Sequence, residues 1–437
     1  MSAQLTQDLK SKGFAECIVI LKQPIQAAAA AAAGALPVGA ASADVGGAAV
    51  RGVAKHFASG ETAQANALAT AAASGRPMMA AVRMGKVSAK RGASAPPPQV
   101  RIYPHLGVMF GTVDREGLAG LRADPRVAAV TGAPPLSLIR PQMVAKARRP
   151  GKVTWGIKAL GIPALWNQGL TGKGIRIGHL DTGVDGTHPA LREAIHKFTE
   201  FDDFGREVQP APRPYDTEDH GTHTAATIAG RAVRGSHIGV APASKLVSAI
   251  VIEGGQVVAR VLGGMDWALG NGIRILSMSL GFRGWWEDFI PLMALLRSRG
   301  VLPVFAVGNE GPGTSRSPGN YSEALSVGAY AQNGDVAYFS SSQQFQRPRD
   351  PAVPDIVAPG VGIVSAKPNG GFQSMDGSSM ATPHVAGLAA LLMEAHPNKS
   401  VDEVEAAIIG SCQLKPGMPA DRGGSGVPNG GRALKLL

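Results

Sequence analysis

Between residues 175 and 330, five nearly unbroken apolar runs, IRIGHL, KLVSAIVI, RILSMSL, VLPVFAVG and ALSVGAY, alternate with stretches of helical composition. A strand that is apolar at almost every position, instead of every second one, must have both faces covered. The intervening helical stretches, His220 to Ala229, Gln256 to Asn271, Trp286 to Arg299 and Ser379 to Ala395, supply the cover. The pattern predicts an α/β fold, a three-layer α/β/α sandwich around a mostly parallel sheet. In such sheets ligands gather beyond the carboxyl ends of the strands, so the residues that follow each run are where chemistry is expected.

The chain has 437 residues, more than the roughly 250–300 at which a single core stops growing, and two domains are expected. Near the start, Cys17 to Leu21 is a β-rich run. From about residue 26 to 98 the sequence collapses into Ala, Gly, Ser and Pro, a low-complexity insertion. Within it, Glu61 to Ala73 has the composition of an Ala-rich helix but little to bury, so mobility is expected over much of the insertion. Order returns at Val100 to Val113, a strand-type run. Asp114 is placed to cap a helix, REGLAGLRAD, that sets Leu118 and Leu121 on one face, and Val127 to Thr131 reads as a further strand. This order predicts a small α+β, ferredoxin-like domain over residues 1–137. Residues 138–153 carry prolines and basic side chains without hydrophobic period and read as a linker, leaving 154–437 for the sandwich.

The net charge of +11 is confined to one region: residues 1–150 hold 18 Lys and Arg against 7 Asp and Glu, and the remainder balances at 25 of each. A basic arm for nucleic acid is one meaning of such a split, but the cations are interleaved with Ala and Gly instead of aromatic platforms, and no recognition motif follows. No nucleic-acid partner is expected. The first twenty residues mix charge throughout, so no secretory signal is evident, and no stretch reaches the ~18 apolar residues that suggest a membrane span. Two cysteines, Cys17 and Cys412, rule out a disulfide framework and stand near no motif histidine.

Three short blocks carry the chemistry: GIRIGHLDTGVDGTHP (174–189), DHGTHTAATIAG (219–230) and GSSMATPHVAG (377–387). Asp181 ends a strand, His220 begins a helix, and Ser379 stands at the start of another. A serine hydroxyl becomes a useful nucleophile when an imidazole takes its proton and a carboxylate steadies the cation that forms. Asp-Thr-Gly also serves in aspartic peptidases, but one copy is present here. His220 and His223, three apart, could in principle ligate a metal, yet H-E-x-x-H and a third ligand cluster are missing, so His223, like His384, reads as structural. GSSMA lacks the final glycine of G-x-S-x-G, and the order of the blocks is wrong for an α/β-hydrolase.

From about Trp155 onward, with all three blocks in order, the chain resembles the subtilase family of serine peptidases. The resemblance implies a serine endopeptidase that works through an acyl-enzyme and needs no cofactor for its chemistry. Asp181 would orient the imidazole, His220 act as the base and Ser379, not Ser378, as the nucleophile. Asn309 in FAVGNEG would be the side-chain oxyanion donor. Ser279, Leu280 and Gly281 would form a backbone edge for an extended polypeptide substrate, with Glu310 opening the opposite wall of the primary pocket. Arg316, in the same wall, reads as an exposed loop arginine, or else as a group favouring an acidic or polar residue before the scissile bond. The resemblance further implies that the N-terminal domain, most similar in DREGLAGLRADPRVAAV, is a propeptide acting as folding assistant and intramolecular inhibitor, with a cut between about Leu138 and Val153. One departure concerns calcium: a position that commonly supplies a ligand in the family is Ala190 here, and Asp202 and Asp203 are too generic to replace it. Two other readings stay open, an exopeptidase or narrowly specific processing protease, and an inactive peptide-binding pseudoprotease.

Overall fold

The computed structural model describes residues 3–22, 45–57, 100–252, 254–347 and 351–437. It divides into two compact units, Met1–Pro134 and Pro135–Leu437.

The first unit is built on a four-stranded antiparallel sheet. Ala15–Leu21 lies between Val108–Val113 and Val127–Gly132, and Arg101–Tyr103 pairs with the outer side of Val108–Val113. The single strand expected over Val100 to Val113 is thus a hairpin, folded back by a turn in which the Gly107 amide donates to the Tyr103 carbonyl at 2.8 Å. Asp114 caps the helix Arg115–Ala123, its carboxylate accepting from the Gly117 amide at 2.8 Å. Leu118 and Leu121 drop from that helix into a core that also holds Cys17, Val19, Met109 and Val113. Within the low-complexity insertion, Val45–Ala54 forms a helix, and Val50, Val53 and Phe57 join this core, so that part of the insertion does have apolar surface to bury. Glu61 to Ala73, and the rest of the stretch in which mobility was expected, lie outside the described residues.

The second unit is a three-layer α/β/α sandwich. Its sheet has seven strands, all parallel, in the order Ile356–Pro359, Leu325–Tyr330, Leu302–Ala306, Ile275–Met278, Arg176–Asp181, Lys245–Ile250 and Ile195–Glu200. The five inner strands are the five apolar runs. The two edges are the ones the sequence pattern does not reveal: IHKFTE mixes charge with apolar residues because an edge strand meets water, and IVAP is short and ends in a proline, which an edge tolerates. Helices His220–Ala229 and Ser378–Ala395 pack on each other and on the sheet, which is also covered by Val257–Gly270 and Ile290–Ser298. The core runs from Ile177 and Leu246 through Val304 and Val327 to Val385, Leu388 and Leu392.

Residues 138–153 differ from the linker expected of them. Ser137–Leu138 pairs antiparallel with Leu280–Arg283, and Met143–Ala147 pairs antiparallel with Phe372–Asp376. Main-chain pairing needs no hydrophobic period, and Met143 and Val144 remain exposed. Among the described residues no helix is long and apolar enough to cross a membrane.

All five tryptophans lie between Trp155 and Trp286, so their fluorescence reports on the larger unit alone. Leu388→Ala, which empties a fully buried site on the helix Ser378–Ala395, should lower the unfolding free energy of that unit by about 2–5 kcal/mol. Guanidinium titration followed by tryptophan emission measures it.

Candidate active site

Asp181 is the last residue of a central strand and His220 the first of a helix, and the two meet at the carboxyl edge of the sheet. The His220 Nδ1 donates to Asp181 Oδ1 at 2.7 Å, and both side chains are buried. The Thr182 amide donates to the same oxygen at 2.7 Å, and the Thr224 hydroxyl reaches Oδ2 at 3.3 Å. Burial works to raise the Asp181 carboxyl, but the charge and hydrogen bond of His220 outweigh it and hold the group below its usual range. Burial likewise opposes the imidazolium of His220, yet the attraction of Asp181 prevails and raises its pKa.

Helix and strand can approach this closely because neither carries a side chain at the contact. A Cβ on Gly221 would lie 2.1 Å from the Gly183 carbonyl oxygen, and Gly183 itself has φ of 124°. A residue that sequence reasoning did not single out fastens the joint. Asp216 accepts the Thr182 hydroxyl at 2.7 Å through one oxygen, and the Thr222 amide and hydroxyl at 2.7 and 2.6 Å through the other. It therefore caps the helix in place of Asp219, whose side chain makes no cap bond.

Ser379 is the second residue of the helix Ser378–Ala395 and is fully buried. Pro383 follows in the next turn; lacking an N–H, it cannot bond the Ser379 carbonyl, which instead receives the Ser279 hydroxyl at 3.4 Å. Asn309 stands beside this helix with its amide direction fixed. Its Oδ1 accepts the Ser378 amide and hydroxyl, both at 2.8 Å, so its Nδ2 faces the opposite way.

An extended length of the chain itself runs through this group. Ser137 and Leu138 pair with Gly281 and Leu280, and the Ile139 amide donates to the Ser279 carbonyl at 2.9 Å. The Ser379 hydroxyl donates to the Ile139 carbonyl at 2.6 Å, and Asn309 Nδ2 to the next carbonyl, that of Arg140, at 2.9 Å. Arg140 turns its guanidinium onto Glu218 at 3.0 Å, and the Gln142 amide bonds the Asp376 carbonyl at 2.8 Å. With the serine proton directed at Ile139, His220 Nε2 is buried without a hydrogen-bond partner. Sequence-selected Ser279, Leu280 and Gly281 thus lie along this strand, Asp181 and His220 are in direct contact, and Ser379 and Asn309 meet through consecutive carbonyls.

Glu310 and Arg316 form a pair in which the Arg316 Nε donates to Glu310 Oε1 at 2.9 Å. Arg316 is 5% exposed, which corrects the expectation of a loop arginine in solvent. Its stem lies against Gly281 and Gly308, where added Cβ atoms would come within 3.0 Å of Arg316 Cβ and 3.2 Å of Cγ, and its Nη1 donates to Ser137 Oγ at 2.9 Å.

His223 and His384 are buried and held neutral by that burial, with pKa values pushed down to about 3 and about 4. Each bonds a backbone carbonyl, that of Ile363 for His223 and that of Met380 for His384, both at 2.8 Å. Among the described residues no three His, Cys, Asp or Glu side chains gather as a metal site. Asp202 is engaged by the Phe204 and Arg206 amides and the Arg206 guanidinium, and Ala190 is fully buried.

The sequence model of the subtilase family matches residues 172–428, which span the Asp181, His220 and Ser379 blocks. The chain belongs to the subtilase family. It is 39% identical over 250 residues to Subtilisin Savinase of Lederbergia lenta, covering 57% of this chain and 87% of that protein. M-protease of Shouchella clausii is also 39% identical over 250 residues, 57% of this chain and 61% of its own length. Subtilisin E of Bacillus subtilis is 32% identical over 302 residues, 68% and 72% of the two chains. The chain therefore spans less than two thirds of M-protease and most of Savinase.

Asp216→Ala leaves the Thr182 and Thr222 donors without their charged acceptor. Since hydrogen bonds to a charged group contribute about 1.5–3 kcal/mol, the variant should lose stability of that order in urea unfolding of a Ser379→Ala background.

Proposed function

We propose that this chain is a serine endopeptidase made as a self-inhibited precursor. The observation that carries the reading is the polypeptide strand laid between the Ser279–Gly281 edge and Ser379, next to a buried imidazole bonded to Asp181 at 2.7 Å. Membership of the subtilase family supports the same chemistry.

In the reaction, Ser379 Oγ attacks the carbonyl carbon of an extended substrate and its proton passes to His220 Nε2. Asp181, ionised at neutral pH, stabilises the imidazolium and keeps its ring oriented. The negative oxygen of the tetrahedral intermediate is held by Asn309 Nδ2 and the Ser379 amide. The imidazolium then gives its proton to the leaving amine, the C–N bond breaks and an acyl-enzyme remains. Water repeats the sequence with the same base, freeing the acid and restoring Ser379. No metal is needed for these steps.

The hydrogen bonds around Ile139 and Arg140 support inhibition by the chain's own segment. Hydrolysis requires one carbonyl to meet both the nucleophile and the oxyanion donor. Here two successive carbonyls divide them, and the serine proton is turned away from His220. Because Ile139 is the last residue anchored to the substrate edge, the bond we assign for processing is Ile139–Arg140. Residues 1–139 would then leave as the propeptide.

Purified wild-type protein should yield a species beginning Arg140-Pro141-Gln142 by N-terminal sequencing and intact mass, while Ser379→Ala stays whole. A first residue beyond Val153 would reject this bond. A serine-directed fluorophosphonate should label the processed form and not Ser379→Ala; absence of labelling would favour a peptide-binding pseudoprotease. Peptides blocked at both ends should be cleaved, which an exopeptidase would not do.

Removing one oxyanion donor costs about 10²–10³ in kcat, a magnitude itself established on a member of this family. Asn309→Ala should show a loss of that size with KM little changed, in steady-state assays of the processed form. For the same form, kcat/KM should rise with pH as His220 loses its proton, with a midpoint above the ordinary imidazole value because Asp181 stabilises the cation.

A further inference from the structure

A second histidine lies behind the Asp181–His220 pair. His179 precedes Asp181 by two residues on the strand Arg176–Asp181, so both side chains leave the same face of the sheet. It is 1% exposed. Its Nδ1 is 2.9 Å from Ser248 Oγ on the neighbouring strand, and its Nε2 is 2.9 Å from Thr224 Oγ1, one helical turn beyond His220. Asp181 Oδ2 is 3.8 Å from that same Nε2 and 3.3 Å from Thr224 Oγ1.

Burial holds His179 below the ordinary imidazole range, against the attraction of Asp181 and Asp216 and with the repulsion of His220. The ring is therefore neutral and has one proton for two hydroxyl partners. Those carboxylates and His220 are the charged or titratable groups that act on it; the paired strands offer Ser248 and Ser277, which are neutral. A proton on Nδ1 would oblige Nε2 to take the Thr224 proton, leaving that hydroxyl nothing to give Asp181. A proton on Nε2 points toward the anionic Asp181, makes Thr224 an acceptor from the ring, and frees the Thr224 proton for Oδ2. Thr224 could otherwise turn it to the carbonyls of His220 at 3.1 Å or Gly221 at 3.2 Å.

We infer that His179 is a positioning residue for catalysis: as its Nε2–H tautomer it directs the Thr224 hydroxyl onto Asp181 Oδ2 and so sets how strongly Asp181 holds the proton on His220. The inference rests on the peptidase reading above. Without the relay, Oδ2 loses its donor, the carboxylate becomes more basic, and the imidazolium of His220 is harder to deprotonate.

Two measurements test it. In the Ser379→Ala precursor with 15N-labelled histidine, long-range proton–nitrogen correlation should find His179 neutral and protonated on Nε2; protonation on Nδ1 overturns the inference without reference to activity. In the processed enzyme, His179→Leu should shift the acid limb of kcat/KM to higher pH and lower kcat several-fold at unchanged KM. Thr224→Val should produce the same shift, and the double variant no more than either alone. His179→Gln, whose amide N–H can replace the Nε2 donor, should restore most of the rate. An acid limb that stays in place or moves to lower pH in Thr224→Val, a variant that leaves the ring intact, overturns the relay even if His179→Leu fails to fold. Wild-type enzyme that cleaves no peptide would instead sink the peptidase reading, and the tautomer would still be decided by the spectra.

Discussion

A carboxylate buried in a protein interior is costly unless donors surround it. Asp181 meets that condition only because the end of a strand and the start of a helix are held in one place. Its donors come from the residue just past the strand, Thr182, and from the helix, His220 and Thr224. The glycine contact between Gly183 and Gly221 lets the two elements approach, and Asp216 ties them together. The sheet order, with Arg176–Asp181 central between Ile275–Met278 and Lys245–Ile250, keeps the strand end from moving. The same ion also sets the electrostatics of its partner, raising the pKa of His220 despite burial.

Much of this architecture is legible in the sequence, for reasons that also explain what is not. A strand in the middle of a parallel sheet must be apolar on both faces, so the five inner strands announce themselves as unbroken runs. The edge strand Ile195–Glu200 faces water on one side and loses that signature, while Ile356–Pro359, though buried, is only four residues long and ends in a proline. Likewise, Asp181, His220 and Ser379 sit in motifs because several neighbouring residues are needed to shape each turn. Asp216 and His179 act as single side chains, and their role depends on what lies across a helix or strand, which one-dimensional spacing does not encode. Arg316 illustrates a third case: an arginine in a Ser- and Gly-rich loop looks solvated until the glycine walls of Gly281 and Gly308 and the carboxylate of Glu310 are brought around it.

The stretch after Pro135 shows how far main-chain chemistry can act without a pattern. Nothing in LSLIRPQMVAKA has the alternation of a half-buried strand, yet two parts of it are paired, one with Leu280–Arg283 and one with Phe372–Asp376. What the segment supplies is a row of amides and carbonyls, and what receives it is an edge left open beside Ser379.

On the peptidase reading proposed above, that open edge has a consequence for any target. Leu280 and Gly281 accept a partner only in fully extended form, and a helix or a compact turn cannot satisfy their amides and carbonyls. A natively folded protein must therefore unravel several residues before it can lie there, so its vulnerability follows the free energy of its own local opening. On this ground, susceptibility among folded targets should be ranked by their hydrogen-exchange behaviour more than by the side chains they display.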